Sequence, residues 1–236
     1  MIVAAVPVKD LVNAKQRLIS VLSPVERREL ARAMLEDVLT TLAGAGAGLV
    51  LVVTRDPEVI ELAGRFVVTI LDEAENRGHT EAVALAQRQA ARMGAAGFLT
   101  IPGDVPLVTA QEIHEVTRTA GPGPSAVFVP SRSSFGTNAA LLTPPDVMPL
   151  KFGEPSFANH LTAARGRGFE PTVLRLPGLG LDIDGPDDLS ALVAEGGGTR
   201  SGRLVRAWGL PRWQPPHLYP LPPPHPTSPH WGEEKR

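Results

Sequence analysis

The sequence contains no cysteine among its 236 residues, which excludes disulfides, thiolate nucleophiles and zinc–sulfur centres. It has no apolar run near the roughly 20 residues that a membrane-spanning helix needs. Its first residues lack the basic lead, long apolar stretch and small-residue cleavage site of a signal peptide. The formal net charge is only −2, so no basic field attracts nucleic acid or an anionic membrane. We therefore expect a cytoplasmic protein that binds neither nucleic acid nor membrane.

Motifs of several enzyme classes are also missing. Neither a Walker A pattern nor a G-x-G-x-x-G sequence follows a strand, which argues against P-loop and Rossmann dinucleotide-binding folds. The chain has no convincing Ser–His–Asp or Cys–His arrangement for nucleophilic catalysis. Its chemistry is therefore sought in the acidic and basic residues that follow the strands.

The composition changes sharply near residue 196, where three consecutive glycines occur. All three tryptophans and the only tyrosine lie after residue 207. The density of proline beyond residue 211 removes backbone donors and blocks helices and central strands. We expect a folded domain at 1–195, a flexible fringe at 196–210 and a disordered proline-rich tail at 211–236. The alternative for the tail is a polyproline ligand of an aromatic-lined groove.

The folded part alternates short apolar runs with amphipathic segments. Strands are predicted at 2–6, 48–54, 66–71, 97–101, 125–130, 137–143, 172–176 and 179–184. Helices are predicted at 24–43, 57–64, 80–93, 110–119 and 155–166, and from residue 186 onward. This alternation predicts a single α/β domain with a mostly parallel central sheet and helices on both faces. In such sheets ligands bind beyond the carboxyl ends of the strands.

Asp104 directly follows one of these strands, in the segment PGDVPLVT. This position at the carboxyl end of a strand is where a metal ligand belongs in this architecture. The flanking glycine and prolines indicate a tight turn that keeps the carboxylate out of a helix. A local turn hydrogen bond is the alternative role.

Asp182 and Asp184 are two residues apart in a run that is predicted to be extended, LDID. Side chains at this spacing share one face of a strand, and two carboxylates there repel unless a cation lies between them. The pattern favours magnesium. The alternative is that Asp184 caps the next helix and Asp182 has no role.

Basic residues follow the first strand in VPVKDLVNAKQRL. Lys9, Lys15 and Arg17 can neutralise a triphosphate from this loop, although a solvated basic loop is the alternative. Small residues with close backbone access occur in SFGTNAALL and KFGEPSFANHL. There, Thr137, Gly153 and Ser156 suit a phosphate or carboxylate, with ordinary turn chemistry as the alternative.

Taken together, these segments resemble the family of 2-phospho-L-lactate guanylyltransferases, which in bacteria includes phosphoenolpyruvate and 3-phosphoglycerate guanylyltransferases. The resemblance covers residues 1–195. It depends on the order and spacing of VPVK with AKQRL, LSPVERRELARAML, GDVPLVT, GTNAALL, FGEPSFANHL and LDIDGPDDL.

The resemblance implies a nucleotidyltransferase fold of the glycosyltransferase-A type. It implies transfer of GMP from GTP to a phosphorylated three-carbon acid, with release of pyrophosphate, in biosynthesis of a deazaflavin coenzyme. The catalytic set would be Asp104, Asp182, Asp184 and Lys15, with Mg²⁺ as cofactor held by the three aspartates.

The resemblance also implies two binding sites. Thr137, Gly153 and Ser156 would hold the acceptor, and the nucleotide would be bound by Lys9, Lys15, Arg17 and Gly78. One departure concerns the nucleotide: the family usually carries Gly-Leu-Asn where this chain has Gly-His-Thr at 78–80. Two rivals stay open, a molybdenum-cofactor or sugar-phosphate nucleotidyltransferase and a nucleotide-binding module without turnover.

Overall fold

The computed structural model describes residues 1–73, 77–121 and 123–209, and the predicted tail lies outside them. Seven strands form one sheet: β1 (Ile2–Pro7), β2 (Leu49–Val53), β3 (Thr69–Leu71), β4 (Gly97–Thr100), β5 (Ser125–Pro130), β6 (Thr137–Thr143) and β7 (Thr172–Val173). The α-helices of the described residues are α1 (Pro24–Gly44), α2 (Pro57–Ala63), α3 (His79–Arg92), α4 (Ala110–Thr119), α5 (Ser156–Arg165), α6 (Pro177–Gly180), α7 (Pro186–Glu195) and α8 (Arg200–Ala207).

The strand order is β3-β2-β1-β4-β6-β5-β7, and β6 runs against both of its neighbours. The other pairs are parallel, which confirms the predicted mostly parallel sheet. Since Thr100 at the end of β4 pairs with Ala140, the first residues of β6 lie beyond the end of β4. The start of β6 and the carboxyl ends of the parallel strands therefore meet at one edge of the sheet.

Helices cover both faces of the sheet, as predicted. Ala4 and Val6 face the core formed with α1, α2 and α4, whereas Val3 and Ala5 face the core formed with α3 and α5. This alternation follows from the period of two along a strand.

Two helix starts have the capping boxes that their sequences indicate. In α1 the Glu26 amide donates to the Ser23 hydroxyl at 3.3 Å, and the Glu26 carboxylate accepts from the Ser23 amide at 2.7 Å. Thr109 and Glu112 make the same pair at α4. Glu112 also accepts from the Gly178 amide at 2.7 Å. A helix cap thereby anchors the turn that leads to the late acidic segment.

The late acidic segment is not a strand of the sheet, contrary to the prediction for 179–184. Pro177 begins the short helix α6, which ends at Gly180, and 181–184 then continues without joining the sheet. A proline suits a first helical position, so it starts a turn inside an apolar run that otherwise indicates a strand. The Ile183 amide donates to the Asp104 carbonyl at 3.1 Å, which fixes the segment beside β4.

The described part of the predicted flexible fringe, 196–209, is mostly helical instead. A 3₁₀ turn is followed by α8, whose Val205 is fully buried in a cluster with Leu30 and Met34 of α1. The Asp37 carboxylate accepts from the Arg200 and Ser201 amides at 2.7 and 2.9 Å. The Thr199 hydroxyl caps α8 locally by accepting from the Gly202 amide at 2.9 Å, whereas the Asp37 carboxylate comes from α1 and is not indicated by the sequence near the glycines. No helix of the described residues is long and apolar enough to cross a membrane.

Candidate active site

The ammonium group of Lys15 lies between two of the predicted aspartates. Its Nζ is 2.6 Å from Oδ2 of Asp104 and 3.0 Å from Oδ1 of Asp184, and the lysine side chain is only 8% exposed. Lys15 has a left-handed backbone, with φ of 56°, at the N-terminus of a 3₁₀ turn. A non-glycine residue in this conformation is uncommon and is often held so at a functional site. Three chain segments, after β1, after β4 and before α7, thus meet at one ion cluster.

The surroundings of this cluster favour the charged form of Lys15 and disfavour the charged form of Asp182. Burial lowers the pKa of Lys15, but Asp104 and Asp184 outweigh it, so the pKa is raised and the lysine stays charged. Burial raises the pKa of Asp182, and the neighbouring carboxylates of Asp104 and Asp184 raise it further. The Asn138 amide opposes this by donating to Asp182 Oδ1 at 3.0 Å. The ionised form of Asp182 is therefore disfavoured, because its side-chain hydrogen-bond partner is the Asn138 amide and not the Lys15 ammonium.

The loops hold the carboxylates in fixed positions. The Asp188 carboxylate accepts from the amides of Asp184 and Gly185 at 3.1 and 2.8 Å, which caps α7. Asn138 also donates to the Leu179 carbonyl at 2.9 Å. Asn138 was not predicted as a site residue. Its one signal in the sequence was its place beside Thr137 at the start of a buried strand.

The three aspartates approach one another, but the described residues contain no group of three or more acidic or histidine side chains that could hold a metal as it stands. The sequence predicted a cation between Asp182 and Asp184, whereas the Lys15 ammonium lies between Asp104 and Asp184. Asp104 Oδ1 is nevertheless buried without a hydrogen-bond partner. An unpartnered buried carboxylate oxygen is unusual and fits a ligand cation.

A cleft of about 490 Å³ opens beside the ion cluster. Its polar lining includes Lys9, Lys15, His79 and Asp104, and Met34 and Leu35 contribute apolar surface. Arg17 does not line this cleft; its side chain is 71% exposed, and its Nη1 lies 3.5 Å from Oδ2 of Asp184. Gly78 immediately precedes α3 with φ of 98°. The structure thus brings Lys9 and Lys15 together in one cleft. Arg17 and Lys15 both pair with Asp184.

His79 also lines the cleft, and the sequence did not mark it as a site residue. Burial lowers its pKa to about 4, so the imidazole is neutral near pH 7. Its ring meets Phe152 edge-on, with centroids 4.6 Å apart. The only signal for it was the departure from the family pattern at 78–80.

The predicted acceptor residues form a second polar group at the same edge of the sheet. The Ser156 hydroxyl accepts from the Thr137 amide at 3.0 Å, and the Thr137 hydroxyl lies 2.9 Å from Nδ1 of His160. Both hydroxyl-bearing residues are buried. Gly153 lies in the exposed loop that precedes α5 with φ of 110°, and a Cβ there would meet no atom within 4 Å. The two hydroxyls therefore already have protein partners, while the glycine faces open space.

Solved structures with this architecture include nucleotidyltransferases. A nucleotidyl transferase from Methanothermobacter thermautotrophicus superposes with a TM-score of 0.62 at 16% identity, covering 88% of this chain and 99% of that one. CMP:2-keto-3-deoxy-manno-octonic acid synthetase, solved with CTP, gives a TM-score of 0.55 at 13% identity and covers 82% and 97%. The chain has the nucleotidyltransferase fold.

Sequence comparison identifies a family within the nucleotidyltransferases. The family described as CofC-like guanylyl transferases matches residues 2–212. A phosphoenolpyruvate guanylyltransferase of Rubrobacter xylanophilus is 42% identical over 194 residues, 82% of this chain and 94% of the relative. A 2-phospho-L-lactate guanylyltransferase of Methanothermobacter thermautotrophicus is 34% identical, covering 86% and 89%. The chain belongs to the CofC-like guanylyl transferase family, and it is a nucleotidyltransferase enzyme.

Proposed function

We propose that this enzyme transfers GMP from GTP to phosphoenolpyruvate and releases pyrophosphate. The names of several relatives support this acceptor. 3-Phospho-D-glycerate and 2-phospho-L-lactate are the remaining candidates, and the latter is the acceptor named for one relative. The observation that carries the proposal is the buried Lys15 ammonium shared by Asp104 and Asp184 beside a cleft.

The reaction needs charge control more than proton transfer. An oxygen of the acceptor phosphate attacks the α-phosphorus of GTP, a new P–O bond forms, and the bond to pyrophosphate breaks. An ionised phosphate is already a nucleophile, so alignment and charge neutralisation carry the rate. Lys9, Lys15 and Arg17 supply positive charge around the cleft for the triphosphate.

We also propose that Asp104, Asp182 and Asp184 hold Mg²⁺. The unpartnered Asp104 Oδ1 and the raised pKa of Asp182 both support a cation beyond Lys15. Oxygen ligands of this kind suit magnesium. The bound ion would neutralise charge on the triphosphate. Lys15 would then be free to contact phosphate oxygens instead of two carboxylates.

The cleft is proposed as the nucleotide site, with Gly78 and His79 close to the base or ribose. The neutral imidazole of His79 can donate or accept a hydrogen bond there without adding charge. Thr137, Gly153 and Ser156 are proposed to hold the acceptor. Because GTP and phosphorylated three-carbon acids are cytoplasmic metabolites, we propose that the enzyme acts in the cytoplasm.

The test is pyrophosphate release from GTP with an acceptor panel, together with mass detection of the product. We expect release with phosphoenolpyruvate and Mg²⁺, and little release when EDTA removes the metal. ATP and CTP in place of GTP measure the guanine preference. Turnover only with a sugar phosphate or a molybdopterin would favour those nucleotidyltransferases instead, and GTP binding without any turnover would indicate a non-catalytic module.

A further inference from the structure

The imidazole of His160 lies at the centre of the second polar group. The residue is 1% exposed and lies on α5, one turn after Ser156. Its ring stacks on Phe128 of β5, with centroids 5.3 Å apart and planes at 13°, and meets Phe152 edge-on at 5.2 Å. One ring therefore contacts the sheet below it and the loop above it.

Its hydrogen bonds fix its tautomer. The Lys151 amide donates to Nε2 at 3.0 Å, so Nε2 carries no proton. Burial lowers the pKa of His160 to about 4, so the ring is neutral near pH 7. A neutral imidazole without a proton on Nε2 carries it on Nδ1. Nδ1 therefore donates to the Thr137 hydroxyl oxygen at 2.9 Å.

This tautomer determines what the hydroxyls can do. The Thr137 oxygen accepts from His160, and the Ser156 oxygen accepts from the Thr137 amide. A hydroxyl has one proton to donate besides its acceptor lone pairs. Because protein donors use the acceptor side of each oxygen, each hydroxyl proton points toward some other acceptor. Two hydroxyl protons that remain available to another acceptor suit an anion.

We propose that His160 is a positioning residue for the phosphorylated acid. It directs the Thr137 proton toward the acceptor anion, and it fixes the loop that carries Gly153 by accepting from the Lys151 amide. Thr80 supports the same loop, because its hydroxyl accepts from the Phe152 amide at 3.0 Å. The inference rests on the proposed function, since it assumes that these residues meet the acceptor.

Three substitutions separate the effects of the two hydrogen bonds that the His160 ring makes. His160→Asn keeps a donor near the position of Nδ1 and loses the acceptor for the loop. His160→Gln keeps an acceptor near the position of Nε2 and loses the donor to Thr137. His160→Phe keeps the ring contacts and loses both hydrogen bonds. A role limited to packing predicts that the phenylalanine variant is the mildest, whereas positioning predicts that it is the most severe.

We expect His160→Phe to raise the KM for phosphoenolpyruvate roughly 10- to 100-fold, the loss expected for hydrogen bonds to a charged group. The KM for GTP should stay within about twofold of the wild-type value. The asparagine and glutamine variants should each recover part of the loss. Thr137→Ala and Ser156→Ala should raise the same acceptor KM.

His114→Phe is the matched control. Nε2 of His114 donates to the Ala45 carbonyl at 2.9 Å, near the amino end of β1 and away from the cleft. It should leave both KM values unchanged. An equal rise in both KM values for His160→Phe, or no rise in either, would overturn the inference.

A binding measurement keeps this inference distinct from the proposed function. Calorimetry of phosphoenolpyruvate with the full chain, Mg²⁺ and a non-hydrolysable GTP analogue reports acceptor affinity without turnover. We expect weaker binding to His160→Phe than to the wild type, even if the wild type releases no pyrophosphate. Equal affinities, or no binding to the wild type, would overturn the role of His160, whereas missing turnover alone would overturn only the reaction.

Discussion

Two polar groups lie at the same edge of the sheet and are stabilised in different ways. Lys15, Asp104 and Asp184 form an ionic group whose carboxylate side chains are 30% and 43% exposed. Thr137, Ser156 and His160 form a neutral group that is buried throughout. The first group is held by charge, and the second by hydrogen bonds whose donors and acceptors are each specified.

The difference indicates different tasks. The carboxylates of the ionic group are partly exposed, so a metal ion or a phosphate can reach the group and exchange partners with it. A buried hydrogen bond cannot be exchanged so easily, because removing one partner leaves a buried polar atom unsatisfied. The ionic group is therefore suited to changing charges during the reaction, and the neutral group to keeping one geometry.

The largest expected effect is on turnover in the ionic group. Asp104→Asn and Asp184→Asn each remove a charge that holds Lys15 and the proposed metal. We expect kcat to fall roughly 100- to 1,000-fold, the size seen when one preorganised electrostatic partner is removed. The measurement is steady-state pyrophosphate release at saturating GTP and phosphoenolpyruvate. Asp187→Asn, a first-turn acid of α7, is the control and should keep near-parental turnover.

The next effect concerns acid sensitivity in the neutral group. The pKa of His160 is lowered to about 4 from a usual value of 6.5, so the unfolded chain binds a proton that the folded chain excludes between these values. Stability from this group is complete above pH 6.5 and is lost as the pH falls toward 4. Between pH 6.5 and 4 the wild type should lose unfolding free energy on the order of 3 kcal/mol through this residue. His160→Phe should not show this loss.

Urea unfolding of the wild type and His160→Phe at several pH values between 7 and 4 measures this difference. The free energy of unfolding of the wild type should fall more steeply with acid than that of the variant. Parallel pH profiles would contradict a neutral buried imidazole, and the tautomer argument would fail with it.

The smallest effects compare Asp184, a member of the ionic group, with the neighbouring Asp182. The raised pKa of Asp182 means that its ionised form costs stability above the folded pKa, and that this cost disappears as the pH falls below the usual 3.8. Asp182→Asn should therefore leave the protein as stable or up to about 1 kcal/mol more stable at pH 7. Asp184→Asn should be destabilising by about 1–2 kcal/mol, because the buried Lys15 loses one of two partners.

Melting curves without added metal test this pair of substitutions. The two variants should shift Tm in opposite directions or differ clearly in size. A stabilising Asp184→Asn would mean that repulsion among the carboxylates outweighs the pairing with Lys15, and the ionic group would then be held differently.

Much of the fold could be predicted from local signals. β5 and β6 have the predicted bounds, because each is a short run of buried residues between turn residues. α1 begins where Ser23 and Glu26 form a capping box. The segment 179–184 was mispredicted as a strand, because an apolar run has the same pattern in a buried turn. Only Pro177 distinguished the two, and its effect depends on where the chain goes next.

The sequence by itself indicated that Lys15 and Asp104 follow strands that end at one edge of the sheet, whereas the late aspartates reach that edge from a segment that is not a strand. Tertiary structure alone decided their pairing: Lys15 reaches two carboxylates 89 and 169 residues away. It also decided that His160 holds Thr137, and that α8 packs on α1 through Asp37 and Val205. Local patterns specify backbone conformation and burial, whereas a partner distant in the chain is set by how the elements pack, which no single segment encodes.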